Sequence, residues 1–311
     1  MLQPKALAVV NEVRRAILGK DTVVCKVLMA ILARGHILLE DNPGVGKTTL
    51  ALAFSKAMGL HYNRVQFTPE VLPADVVGFS VWDNQTGEFS YRPGAVLCNL
   101  FLADEINRTS AKTQSALLEA MEEGQVTVDG VSRPLPKPFT VIATQNPVGS
   151  AGTQLLPESQ LDRFMMRLSI GYPSLDQEIL ILKQTEGSRP VDGLRQIVTL
   201  EEVCEMQQEV AQVHVAEDLY HFVASLCAAT RQHPLLRLGA SPRAGAALVR
   251  ACRASAWMAG RDYVLPKDVQ LLYYNVLEHR ITPDPQARLS DRTAHTLLSE
   301  VWDSVPQPKL V

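Results

Sequence analysis

The chain has 311 residues, 46% of them hydrophobic and 20% charged, with a net charge of -3. That length suits one large domain or two moderate ones, and the charge excludes a protein that holds nucleic acid through bulk basicity. Five scattered cysteines (Cys25, Cys98, Cys204, Cys227, Cys252) lack disulfide-framework or zinc-ligand spacing, so reduced thiols in a cytoplasmic protein are expected. No apolar run is long enough to span a bilayer, and the N-terminus leads into a charged helix pattern rather than a signal peptide.

Residues 6–18 have helical apolar spacing and end at Gly19, a C-cap residue; 21–33 form a second helix. Residues 35–39 are short and apolar, as a buried strand is, and 49–58 read as a helix. Between them runs Asp41-Asn42-Pro43-Gly44-Val45-Gly46-Lys47-Thr48-Thr49. Strand, glycine-bearing turn and Gly46-Lys47-Thr48 opening a helix make a P-loop. Glycines let backbone N–H groups close around phosphate oxygens, and the helix N-terminus adds partial positive charge. Lys47 reaches the β- and γ-phosphates, and Thr48 places a hydroxyl on Mg²⁺. The strict pattern has glycine where this chain has Asp41, a residue that tolerates unusual turn dihedrals better than most.

Residues 65–67 predict a strand, and 68–78 a short helical or irregular segment. Residues 79–91 read as a hairpin with a polar turn. Its Trp82, Phe89 and Tyr91 either pack on the body of the domain or grip a partner. The apolar run 100–103 ends in Asp104-Glu105. Ligands bind at the C-terminal ends of parallel strands. There Asp104 holds Mg²⁺ and Glu105 polarises an attacking water. A helix over 112–122, with Glu119, Glu122 and Glu123 facing out, stops at Gly124. Asp129-Gly130 marks a second hairpin between 125–128 and 131–132. Pro134, Pro136 and Pro138 predict a stiff exposed connection.

The strand 139–147 ends in polar residues. Asn146 either orients the water or γ-phosphate, or simply starts a turn before Pro147. A loop is expected over 149–155. Arg163 follows in a polar setting, where it either salt-bridges at the surface or reaches a neighbouring chain's nucleotide. With a strand near 165–170, the elements give an α/β sheet of about five strands. Composition changes near 171–173, and helices are expected at roughly 174–186, 199–211, 216–231, 242–259, 267–279 and 291–303. Ser241-Pro242 and Pro266 look like helix starts. Arg243 lies in a first helical turn, where the dipole disfavours a cation unless a phosphate faces it.

Taken in this order, the motifs resemble those of the MoxR family of AAA+ ATPases over nearly the whole length. Residues 35–48 are similar to that family's Walker A region, and Asp104 to Arg108 with 112–123 to its Walker B and following helix. Residues 143–147 are similar to sensor 1, 161–164 to the arginine-finger segment and 239–243 to sensor 2. The resemblance implies an α/β P-loop NTPase of AAA+ type, with a parallel five-stranded sheet between helices and then a smaller all-helical lid. The core is expected over 1–172, a linker over 173–189 and the lid over 190–311. The implied cofactors are ATP and Mg²⁺, with ATP lying between core and lid. Residues 41–49 cradle the nucleotide, and Thr48 and Asp104 hold the metal. Glu105, Asn146, Arg163 from a neighbour and Arg243 from the lid complete the site, with Arg108 a lesser candidate at the subunit boundary. The resemblance also implies a homo-oligomeric, commonly hexameric ring acting in chaperone-like remodelling. Its partners are a client and a protein with a von Willebrand factor A domain. The hairpins at 79–91 and 125–132 would face the pore or a client. The alternatives are the motor subunit of a metal-chelatase-like complex and a nucleic-acid-dependent motor. The second hairpin, whose one charge over 125–132 is Asp129, argues against the latter.

Overall fold

The computed structural model describes residues 3–146, 156–184 and 189–308. The chain opens with α1 (Pro4–Arg14), α2 (Asp21–Leu32), β1 (Ile37–Glu40) and α3 (Lys47–Ala57). β2 (Tyr62–Gln66), α4 (Pro73–Val77), a hairpin of β3 (Gly78–Asp83) and β4 (Glu88–Pro93), and β5 (Leu100–Asp104) follow. A 3₁₀ turn at Ile106–Arg108 leads into α5 (Ala111–Glu123), a second hairpin of β6 (Gln125–Val128) and β7 (Val131–Pro134), and β8 (Thr140–Gln145). Then come α6 (Glu158–Leu161), β9 (Met166–Leu168), α7 (Leu175–Gln184), α8 (Leu200–Gln212) and α9 (Glu217–Gln232). The chain finishes with β10 (Leu236–Leu238), α10 (Pro242–Met258), α11 (Pro266–Leu277), β11 (Thr282–Pro283), α12 (Pro285–Leu289) and α13 (Ala294–Ser304). The loop expected at 149–155 and the last residues of the helix expected at 174–186 lie outside the described residues.

Five strands form one parallel sheet in the order β2-β5-β8-β1-β9. β5 is buried along its whole length, and β8 over all but its last residue. Burial on both faces explains their continuous apolar runs. The period of two then sorts side chains between layers. Ile37, Leu39, Leu100 and Leu102 join the cluster containing α1, α2 and α3; Leu38, Phe101 and Ala103 join Leu117, Leu118 and Met121 of α5. Because all five strands run the same way, the P-loop, Asp104 and Asn146 come out on one edge of the sheet.

The helical half packs on the same core. α8 and α10 lie against α2, and Gln207 Nε2 donates to the Ile31 carbonyl at 2.8 Å. One apolar cluster runs from Ala6 through Phe54 to Leu272. The bounds at 172 and 190 are therefore divisions of chain order that this cluster crosses. The helical half also carries the antiparallel β10 and β11 pair and the short α12, which sequence periodicity does not reveal. Ser241 caps α10 as expected, accepting from the Ala244 N–H at 3.2 Å, with Pro242 in the first turn.

Two expectations about the connections need correcting. Pro134 pairs with Gln125 inside β7, and Leu135 and Pro138 are buried. The proline-rich connection is exposed at Pro134 and Pro136, as expected, but is anchored elsewhere: Leu135 enters the apolar core, and Asn99 Nδ2 donates to the Pro138 carbonyl at 2.9 Å. The second hairpin also extends beyond 132 and includes Arg133. That guanidinium lies 3.9 Å from the centroid of the Tyr91 ring and donates to the Val131 carbonyl at 3.0 Å. Tyr91 donates to the Val77 carbonyl at 2.6 Å, so it packs on the body. Trp82 and Phe89 do not. They are 51% and 71% exposed and stack edge-to-face on each other.

Arg280 ties the helical half to the sheet. Its side chain is 2% exposed and ion-pairs with Asp162 at 2.8 Å. It also donates to the carbonyls of Asp162, Phe164 and Met165 at 3.0, 2.6 and 3.1 Å. Arg280→Met is expected to lower unfolding free energy by about 3–5 kcal/mol, because Asp162 and three carbonyls lose a buried donor. Urea denaturation reads this directly, and a loss below about 1 kcal/mol would refute it.

Candidate active site

The turn after β1 leads into α3 through Gly46, which has φ +95°. A residue with a β-carbon is strained there. Gly46 also occupies the N-cap position and has no side chain to cap the helix. Glycine at an N-cap costs only about a few tenths of a kcal/mol relative to a capping Ser or Asp. The first N–H groups of α3 thereby stay available to a phosphate.

Pro43, Gly44, Gly46, Lys47, Thr48 and Thr49 line one cleft with Arg64, Asp104, Glu105 and Asn146. Lys47 donates to the Asp41 carbonyl at 2.7 Å and to Asn146 Oδ1 at 3.4 Å. Burial pulls its pKa below the usual lysine value, against the charges of Asp41, Asp104 and Glu105. Asn146 in turn donates to Glu105 Oε1 at 2.9 Å. Glu105 stands at φ +56°, a left-handed conformation for a residue with a side chain. Such strain costs about 1–3 kcal/mol and persists where surrounding contacts hold it. Here Thr144 Oγ1 accepts the Glu105 N–H at 2.9 Å and donates to Asp104 Oδ1 at 2.6 Å.

Burial alone would push the Glu105 carboxyl up. Hydrogen bonds from Arg108 and Asn146, with the Arg108 charge, outweigh it and hold the carboxyl below the usual range. Arg108 pairs with Glu105 at 2.8 Å, so it acts on its own chain's acid. The oxygen donors Thr48 and Asp104 suit a hard cation such as Mg²⁺, which takes few protein ligands and keeps phosphate and water oxygens. Among the described residues no three His, Cys, Asp or Glu gather as a self-sufficient metal cage.

Arg163 and Arg243 are brought together, but away from this cleft. Arg163 Nε lies 3.1 Å from Glu122 Oε2, and Arg243 pairs with Glu122 Oε1. They share a concavity with Arg34, Gly35, His36 and Met165. Those residues precede β1 and β9, whereas the P-loop follows β1. The arginines therefore stand at the opposite end of the sheet, a strand length of roughly 13 Å or more from their own P-loop. Arg243, expected to reach the phosphate from the helical half, stands with Glu122 and does not line its own chain's cleft. Among the described residues, no helix after β9 contributes to the P-loop cleft. α10 instead packs on α2 and α11, which turns its N-terminus to Glu122.

Residues 36–166 match the ATPase family associated with various cellular activities (AAA), and 228–301 match the AAA lid domain. Chaperone MoxR1 of Mycobacterium tuberculosis is 37% identical over 96% of this chain and 81% of its own length. The chain belongs to the MoxR family of AAA+ ATPases. Protein YeaC of Bacillus subtilis is 45% identical over 99% of the chain and 96% of its own length. A crystal structure of a Cytophaga hutchinsonii protein superposes with a TM-score of 0.91 at 36% identity, covering 98% of this chain and 95% of that one.

Not every Walker A residue of this MoxR-family ATPase lines the cleft. Asp41, Asn42 and Val45, expected in the cradle, lie outside the cleft lining. The Asp41 carboxylate accepts from Ser169 Oγ at 2.7 Å and from the N–H groups of Ile170 and Gly171 at 2.6 and 3.0 Å. Asp41 is not among the residues with positive φ. Its side chain, not its dihedral tolerance, explains why it replaces glycine: it fastens the P-loop to the chain leaving β9. Sequence reasoning also missed Arg64, whose Nη2 lies 2.7 Å from Asp104 Oδ2. Arg64 is on β2, and pairing of β2 with β5 brings it there. Thr144 was missed as well; its signal was a hydroxyl two residues before Asn146 on a strand beside the acidic one.

Proposed function

We propose that this ATPase works as a ring of identical chains, commonly six, that hydrolyses Mg-bound ATP at shared sites to remodel or activate partner proteins. The observation that carries this reading is the separation of Arg163 and Arg243 from their own P-loop cleft. One chain presents phosphate-binding groups at one end of β1 and two arginines gathered on Glu122 at the other. A second chain placed head-to-tail completes the site, and such heterologous contacts close into rings.

In that site Lys47 and the uncapped N-terminus of α3 hold the β- and γ-phosphates. Mg²⁺, bound by Thr48 and Asp104, offsets phosphate charge. Arg64 neutralises Asp104 in the arrangement seen here. Asn146 and Glu105, joined by a hydrogen bond, hold the attacking water in line with the γ-phosphate. Arg163 and Arg243 of the neighbour face the charge that develops there. The exposed Trp82 and Phe89 support a gripping role for the first hairpin, since an exposed aromatic pair suits a polypeptide client. The von Willebrand factor A partner rests on the family resemblance. The free thiols of all five cysteines suit a cytoplasmic protein.

Mixing two inactive variants tests the shared site. Glu105→Gln chains and Arg243→Ala chains should each turn over slowly alone. Mixed, an Arg243→Ala chain gains an intact Arg243 from its neighbour, and turnover should recover. Absence of recovery, with mixed rings confirmed by mass, would return Arg243 to its own chain's site and refute the reading.

A further inference from the structure

Glu122 carries an unusual load for a surface acid. It lies in the last turn of α5, where the helix's partial negative charge disfavours an anion. Each of its two carboxylate oxygens takes a different arginine: Oε2 takes Arg163 Nε at 3.1 Å, and Oε1 takes Arg243 Nη2. Arg163 comes from the segment after α6, and Arg243 from the first turn of α10. No backbone continuity relates them; the carboxylate does. Arg34, Arg250 and Arg280 crowd the same concavity. The other acid lining it, Asp162, is already held by Arg280 and Ser241. Without the Glu122 charge, two guanidiniums among three more would repel one another and splay apart.

We propose that Glu122 is a positioning residue that holds Arg163 and Arg243 as a single fork for the γ-phosphate of the neighbouring chain. The proposal rests on the shared-site reading above. Each guanidinium gives only part of its donor set to Glu122 and keeps the remaining N–H groups for phosphate oxygens. A carboxylate that fixes both cations before the nucleotide arrives removes their reorganisation from the reaction. Glu122 acts through the arginines it pairs with.

Glu122→Gln tests this, since the amide keeps the size and loses the charge. Steady-state kcat is expected to fall about 10–100-fold, the scale of a misplaced catalytic group. The KM for ATP, the ring mass by light scattering and the thermal melting midpoint should not move. Glu122→Gln chains mixed with Glu105→Gln chains should regain turnover, because the defect of the first lies in its neighbour's site. Unchanged or raised kcat would overturn the proposal. So would a defect that mixing leaves in place, which would put Glu122 in its own chain's site. If Arg243→Ala recovers on mixing and Glu122→Gln does not, the shared site stands and the fork fails. If Arg243→Ala does not recover either, the shared-site reading fails with it.

Discussion

Glu105→Gln is expected to lower ATP turnover about 10²–10⁴-fold and to leave ATP binding intact. The carboxylate stands at the end of β5 in a left-handed conformation, fixed by Thr144 at its N–H and by Asn146 and Arg108 at its oxygens. The amide keeps the shape and a carbonyl for Asn146, but loses the charge proposed to order the attacking water. Nucleotide affinity rests on Lys47, the α3 N-terminus and the metal donors, so it should survive. The pH dependence follows from the same contacts. Glu105 has a depressed pKa, so its ionised form is present at every pH above that value. Its contribution is lost only as pH falls through it. From about pH 5 upward, kcat should show no acid limb due to Glu105. A limb near neutrality that disappears in Glu105→Gln would show a protonated acid at work and contradict this geometry.

Arg163→Ala is expected to cost about 10³–10⁵ in turnover, the range for an arginine supplied across a subunit boundary to a transferring phosphoryl group. Stability should change little. Arg163 is partly exposed and pairs with a partly exposed Glu122, and such pairs contribute about 0–1 kcal/mol. The two magnitudes separate the roles. Either role gives a small stability change; a surface salt bridge alone leaves the kinetics unchanged, whereas a shared catalytic cation costs turnover. Single-turnover kinetics on assembled protein, with ATP affinity measured separately, distinguishes them. An Arg163→Ala enzyme with parental kcat would leave the arginine structural.

The nucleotide cleft was legible in the sequence because its signals are local. A buried strand, a glycine turn and Gly46-Lys47-Thr48 occupy a dozen consecutive residues, and the parallel sheet carries Asp104, Glu105 and Asn146 to the same edge. What the sequence concealed depends on contacts between distant segments. Asp41 reads as a tolerant turn residue until the backbone after β9 arrives to bond its carboxylate. Arg64 reads as a surface charge on an edge strand until β5 pairs beside it. Helical periodicity placed Glu122 on an outward face, correctly, but periodicity does not tell what reaches that face. Arg243 was recognised by its position in the first turn of α10. What it can reach depends on where α10 docks, and that is set by apolar packing on α2 rather than by any local motif.

The central claim is that hydrolysis needs two chains. The most direct test is ATP turnover per chain against protein concentration, with light scattering on the same samples and Glu105→Gln and Arg163→Ala alongside. The account predicts a rate that climbs as assemblies form and that both substitutions suppress. A rate independent of concentration in samples that scatter as monomers, and unchanged by Arg163→Ala, would contradict it and leave an ATPase complete within one chain.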